Sequence, residues 1–117
     1  MRIAREHGVL LLEDDAYTGI DLDGPPPASL YSIAKGEGIM RCGTFSKTIA
    51  TGLRVGYTVA SVPIIRRLVF ARFDNGASPF LHRTVLHYLR SGAYEPHVRM
   101  LQDLYRERRD VSAALLH

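Results

Sequence analysis

Val9 to Leu12 is an unbroken apolar run that stops at three consecutive acids, Glu13, Asp14 and Asp15. Before it, Arg2 to His7 reads as the last turns of a helix, and Gly8 supplies the left-handed residue that ends one. A short run with no polar interruption suits a strand covered on both faces, which is the condition of a parallel sheet. Helix, tight link, buried strand and abrupt polarity together predict an α/β fold. Ile39 to Gly43 repeats the pattern as a second strand. Acids at the carboxyl end of a buried parallel strand sit where open α/β sheets bind ligands. Side chains alternate along a strand, so Asp14 and Asp15 face opposite ways if the extended backbone reaches them. Alternation leaves open which of the two faces a ligand, and by residue type alone either reads as a surface or helix-capping acid, the reading kept for Asp15.

The second strand runs into Gly43 to Tyr57, GTFSKTIATGLRVGY. One lysine, Lys47, lies there in a polar, crowded turn among hydroxyls and small residues, and Arg54 follows seven residues later. A neutral lysine amine attacks an aldehyde to give a Schiff base. Thr44, Ser46 and Arg54 together suit a phosphate, because hydroxyl donors and a planar guanidinium match its oxygens. Gly52 and Gly56 bracket Arg54 and leave room for close backbone approach. An aldehyde cofactor carrying a phosphate fits this set.

The stretch resembles the lysine segment of pyridoxal-phosphate enzymes of fold type I, specifically the class I/II aminotransferases. Glu13-Asp14-Asp15-Ala16-Tyr17 matches that family's Asp-x-Ala-Tyr motif about thirty residues upstream, and Tyr105, Arg108, Arg109 and Asp110 match its Tyr-x-x-Arg-Arg-Asp pattern. The resemblance covers essentially the whole chain. It implies that Asp14 pairs with the pyridine nitrogen, keeping the ring protonated as an electron sink, and that the Tyr17 hydroxyl bonds the ring's phenolic oxygen. Lys47 would form the Schiff base with pyridoxal 5'-phosphate and then shuttle the substrate's α-proton. Thr44, Ser46 and Arg54 would anchor the phosphate.

Resemblance further implies part of a large domain, a mostly parallel sheet with an antiparallel strand over Val55 to Ala60, in residues 1–93. Residues 94–117 would be a helix leading toward a small domain. Thr51 stands where the family commonly has proline, so a local loop change without loss of the phosphate contact is expected. The implied substrates are an amino acid and a 2-oxo acid, and the implied assembly is a homodimer. Wording from Phe45 to Gly56 is closest to 2-aminoadipate-type aminotransferases and to the C-terminal domains of MocR-like regulators. An alternative parent is therefore a MocR/GntR-type transcription factor that senses the cofactor, the one case in which nucleic acid is a partner.

At 117 residues the chain is far shorter than a complete enzyme of this family, and it reads as a fragment beginning and ending inside helices. It lacks the glycine-containing phosphate loop, the ring-stacking aromatic residue, an asparagine to the phenolic oxygen and the substrate-carboxylate arginine. Little or no transaminase activity is expected from it alone. A truncated product with exposed core is the blander reading.

The net charge of +3 comes from arginines in the second half of the chain, Arg66, Arg67, Arg72, Arg83, Arg90, Arg99, Arg106, Arg108 and Arg109. Spread among Leu, Val and Tyr on several helices, they read as solvated faces and not as a nucleic-acid arm. Cys42 is the only cysteine, which excludes an internal disulfide framework and points to a reducing, cytoplasmic setting. It reads as packed. No apolar run is long enough for a bilayer. His82 and His87 are five apart, off the spacing that lets helical ligands share a face, so no metal is expected. Thr44 occupies the position where a Ser-x-x-Lys acylating motif needs its serine.

The rest of the chain is scaffold by this reading. Gly19 to Ser32 is a Gly/Pro-rich extended loop without assigned chemistry, and Ser32 to Gly38 continues it as a polar connector. Three helices follow. Pro63 after Ser61 starts one bearing Ile64, Ile65, Leu68 and Val69. Ser78 and Pro79 start another with the stripe Leu81, Val85, Leu89, after a link of Asp74, Asn75, Gly76 and Ala77. A longer helix begins near Pro96 and carries Val98, Leu101, Tyr105 and Leu115.

Overall fold

Gly8 takes the left-handed backbone expected of it, φ +62°, and closes α1, Arg2–Glu6. The Val9 amide reaches back to the Ala4 carbonyl at 2.8 Å. That capping bond draws Val9 into the helix end, so β1, Leu11–Asp15, starts two residues later than the apolar run and takes in all three acids. The computed structural model describes residues 2–73 and 76–116.

Three strands form one mixed sheet in the order β1-β2-β3. β2, Ile39–Thr44, lies parallel to β1, with Leu11 opposite Ile39 and Asp15 opposite Gly43. β3, Gly56–Val59, is antiparallel to β2, with Thr44 opposite Gly56 and Arg41 opposite Val59. The α/β class and the antiparallel third strand are as expected, with β3 one residue shorter at each end. β1 and β2 end side by side, so the acids and the lysine turn share one edge.

A four-residue helix, α2, Leu30–Ile33, forms across the end of the predicted Gly/Pro-rich loop and the start of the polar connector. Ser29 caps it by accepting from the Ser32 amide at 3.1 Å, and the Glu13 carboxylate accepts from the Leu30 and Tyr31 amides at 2.6 and 3.1 Å. Those bonds satisfy amides that a helix start leaves open. Glu13 comes from a strand seventeen residues earlier, so local reading had no access to it.

The three later helices start at or close to their predicted signals. α3, Val62–Ala71, follows Ser61, and α4, Pro79–Arg90, follows Ser78; neither serine side chain makes a capping bond. Asp74 and Asn75 of the predicted link lie outside the described residues, as do Met1 and His117. α5, Tyr94–Leu115, begins two residues before Pro96, which falls in the first turn where a missing amide costs nothing. Ile39, Ala34, Val55 and Val85 form the buried apolar core. Ile64 and Ile65 of α3 are half-buried, while Val69 and Phe70 beyond them are exposed. Leu115 is exposed as well and lies outside the packed part of α5.

Two of the arginines read as solvated do structural work. Arg106 donates from Nε to the Leu22 carbonyl at 2.7 Å, and Arg109 pairs with Asp23. The reason is geometric: α5 runs past the Gly/Pro loop, whose carbonyls have no strand to bond. Those two side chains fasten it. Among the described residues no helix is long and apolar enough to cross a membrane.

Candidate functional site

β1 stays extended to its last residue, so its side chains alternate and the two aspartates part company. Asp14 is exposed and has no hydrogen bond or ion pair among the described residues. Asp15 turns the other way and is enclosed against Arg41, whose Nε and guanidinium tip both donate to one carboxylate oxygen. The reading of Asp15 as a surface or capping acid is thus corrected. Arg41 stands opposite Glu13 in the sheet register, which places it between two acids of the same face. Donating to the Asp15 carboxylate raises the pKa of the Arg41 guanidinium above its ordinary range, against the opposing effect of burial.

Beyond β2 the chain makes a tight turn in which the Phe45 carbonyl accepts from the Ile49 amide at 2.8 Å and the Ala50 amide at 3.3 Å. Thr51 donates its hydroxyl to the Ser46 carbonyl at 3.2 Å and closes the turn from outside. Lys47 sits at its crest. The turn is polar as expected but not crowded around the lysine: Lys47 is exposed, and its Nζ lies 5.4 Å from the centre of the Tyr17 ring. A cation over a ring face at that distance is attracted by the ring's negative face. Tyr17 is itself exposed.

The two predicted hydroxyls touch each other. Thr44 Oγ lies 3.0 Å from Ser46 Oγ, accepts from the Ser46 amide at 3.1 Å and stands 3.2 Å from the Val55 carbonyl. That carbonyl already receives the Phe45 amide at 3.1 Å. A hydroxyl has one proton, so a Thr44 proton given to Ser46 leaves the Ser46 proton free to point outward. Whether the Thr44 proton goes there or to the Val55 carbonyl, Thr44 holds Ser46 in place by accepting from its amide.

Arg54 ends a three-residue 3-10 turn, Thr51–Leu53, in the left-handed conformation, φ 51° and ψ 35°. The glycines on either side were expected to leave room for close backbone approach, and neither Gly52 nor Gly56 has a positive φ. Their roles differ. A methyl on Gly56 would come within 2.9 Å of the Gly43 carbonyl oxygen, so Gly56 permits close strand approach, while Gly52 faces open space. A left-handed non-glycine residue costs on the order of 1–2 kcal/mol, a strain that a packed surround sustains. Buried Val55 next to Arg54 is that surround. The guanidinium has no hydrogen bond or ion pair among the described residues.

Sequence reasoning missed Arg41, Thr48, Tyr94 and Gln102. Thr48 is 2% exposed and accepts from the Tyr94 hydroxyl at 3.1 Å. Gln102 donates to the Gly19 carbonyl at 3.2 Å. A basic residue interrupting an apolar strand was a signal for Arg41; contacts between α5 and the first half of the chain left none. Cys42 is half-buried with its sulfur 3.5 Å from the Thr58 hydroxyl, packed as expected.

Parallel β1 and β2, an antiparallel β3 and a lysine turn at the carboxyl edge define an α/β transferase domain of fold type I. The chain belongs to the aminotransferase class I and II family, whose model matches residues 1–116. Among solved structures it is similar to a kynurenine aminotransferase from Pyrococcus horikoshii, at 29% identity and a TM-score of 0.88, over 93% of this chain and 28% of that one. It is also similar to an alpha-aminoadipate aminotransferase from Thermus thermophilus complexed with N-(5'-phosphopyridoxyl)-L-leucine. That match has 28% identity and a TM-score of 0.79, over 91% of this chain and 28% of that one. Among curated relatives it is 32% identical to the uncharacterized HTH-type transcriptional regulator YdfD of Bacillus subtilis, over 91% of this chain and 22% of the relative. The HTH-type transcriptional regulator NorG of Staphylococcus aureus is 30% identical over 97% of this chain and 26% of its own length. The chain spans about a quarter of the length of the curated relatives it matches.

Proposed function

We propose that this chain is the lysine-bearing part of the cofactor domain of a pyridoxal-phosphate-dependent aminotransferase, which moves an amino group between an amino acid and a 2-oxo acid. One observation carries the proposal. At the sheet edge, three charged groups matching the cofactor have no hydrogen bond or ion pair among the described residues: the Asp14 carboxylate, the Lys47 amine, which lies against only the Tyr17 ring, and the Arg54 guanidinium. Beside them Asp15 and Arg41 neutralise each other. The donor set fits the group, with a carboxylate for a ring nitrogen, a hydroxyl and guanidinium for a phosphate, and an amine for an aldehyde.

When bound, pyridoxal phosphate supplies the electron sink that makes a substrate α-proton removable. The chain's own residues do the rest. Arg54 and Ser46 hold the phosphate, with Thr44 orienting Ser46, so binding energy away from the reacting atoms fixes orientation. Asp14 holds a proton on the ring nitrogen, and the Tyr17 hydroxyl donates to the ring oxygen. Lys47 Nζ would take the proton from the substrate's α-carbon and deliver it to the cofactor's imine carbon. Residues 1–93 then belong to a large domain and α5 leads from it toward a small one, in a cytoplasmic homodimer.

Titration of the purified chain with pyridoxal phosphate, following visible absorption of a lysine imine, tests this. A band present in the native chain and absent in Lys47→Ala is expected. Absence of any Lys47-dependent band would sink the reading for this chain.

The regulators YdfD and NorG support a second reading, in which the same site senses the cofactor within a DNA-binding protein. Lys47 and Asp14 serve both. Amino-acid turnover by the whole protein supports the enzyme; cofactor-dependent binding of a DNA operator without turnover supports the regulator.

A further inference from the structure

No hydrogen bond among the described residues joins the tyrosine arm, residues 16–23, to the lysine segment, residues 44–55. Both arms are instead bonded to α5. Tyr94 donates its hydroxyl to Thr48, the buried neighbour of Lys47, at 3.1 Å. Two turns further on, Gln102 donates to the Gly19 carbonyl at 3.2 Å, and one turn beyond it Arg106 donates to the Leu22 carbonyl at 2.7 Å. Gly19 is two residues after Tyr17, whose carbonyl accepts from the Ile20 amide at 3.1 Å, so a hold on Gly19 is a hold on the tyrosine.

Tyr94, Val98, Gln102 and Arg106 recur every four residues, the spacing of one ridge on a helix surface. The arms and the ridge converge at Gly19. A methyl placed there would lie 3.5 Å from Thr48 Cγ2 and 3.8 Å from Val98 Cγ1. Between them lies a cleft of about 350 Å³ bordered by Thr18, Thr44, Phe45 and Tyr57. A cleft gives the arms no support of its own.

We propose that α5 is a splint that sets the separation of Lys47 and Tyr17, with Tyr94, Gln102 and Arg106 as positioning residues. None of the three is assigned contact with the cofactor. The importance of that separation rests on the cofactor reading above, but the mechanical coupling does not. Displacement of α5 changes both arms together.

The test measures amide hydrogen exchange in the cofactor-free chain and imine formation with pyridoxal phosphate, in Tyr94→Phe and Gln102→Met. Each variant removes one donor and keeps the bulk of the side chain. A splint predicts crossed effects: Gln102→Met speeds exchange at Ile49 and Ala50 of the lysine turn as well as at Ile20, and Tyr94→Phe does the converse. Each weakens Lys47-dependent imine formation by roughly threefold to tenfold, the ratio that loss of one hydrogen bond produces. Unchanged exchange at Met40 and Cys42 in β2 shows that the fold is intact. Thr48→Ser, which keeps the acceptor, behaves as the native chain. Effects confined to the arm each residue touches, or none, overturn the proposal. If the native chain forms no imine, the cofactor reading fails while the exchange data still decide the splint.

Discussion

Lys47 and Tyr17, thirty residues apart in the chain, meet at the sheet edge with the lysine Nζ 5.4 Å from the ring centre. Both side chains are exposed, so their contact contributes little to stability, about 0.5 kcal/mol or less. Its value is orientation. Tyr17→Phe keeps the ring and loses the hydroxyl, whereas Tyr17→Leu loses both. Absorbance titration with pyridoxal phosphate should rank imine formation as native, then Phe, then Leu, with chemical denaturation midpoints nearly unchanged. Equal titration by Leu and native would remove Tyr17 from the site.

Arg41 is the structural counterweight to that site. Enclosed by Asp15 and Glu13, it holds the end of β1 so that Asp14 faces the other way. Replacing it with Met leaves two acids without their cation, and about 1–2 kcal/mol of stability should be lost in a urea titration, less than for a fully buried pair. The sign with pH follows from the raised pKa of Arg41, caused first by its hydrogen bond with Asp15. A raised value means stability fully present below the ordinary arginine range and lost only as pH climbs past the raised one. The arginine's own ionisation should therefore give no slope between about pH 6 and pH 9.

Two glycines separate a hard constraint from a soft one. Gly56→Ala sets a methyl against the Gly43 carbonyl, part of the backbone, and should cost about 1–3 kcal/mol while disturbing Arg54. Gly43→Ala meets only the outer ring atoms of Tyr57, which can swing away from Phe45. Thermal or urea unfolding should find the Gly56 variant the less stable of the two, and the reverse order would contradict this account of the β2-β3 approach.

Thr51→Pro restores the residue common in the family. Ala50 before it is extended, φ −162° and ψ 134°, as a residue preceding proline requires, and Thr51 opens a 3-10 turn. Proline would lose the hydroxyl bond to Ser46 but restrict the unfolded chain, a gain of about 0.4–1 kcal/mol. The expected stability change is within about 0.5 kcal/mol of zero, with imine formation retained. A loss well beyond that would show that the Thr51 bond fastens the lysine turn.

The site was legible because its residues are local to two strand ends. Val9 to Leu12 breaking into acids, and Ile39 to Gly43 breaking into Lys47, are signals of periodicity and polarity that need no partner to be read. They placed the acids at the edge reached by Lys47, with Thr44, Ser46 and Arg54 following from the same segment, while the choice of Asp14 and Tyr17 came from the resemblance to the class I/II aminotransferases. Helix starts at Ser61 and Ser78 were legible for the same reason.

Tertiary structure alone decided where the remaining polar groups go. Asp15 became half of an ion pair because register sets its strand beside Arg41. α2 formed because Glu13 arrives from another element to accept its first amides. Arg54, rather than a flanking glycine, took the left-handed backbone as the 3-10 turn closed into β3. The sequence by itself determined the α/β class and the placement of the acids and the lysine turn at one edge, since alternation and turn chemistry act over a few residues. The ties of α5 to Thr48 and Gly19 were decided only by the fold, because a hydrogen bond between residues 46 or 83 positions apart leaves no periodic trace in the chain.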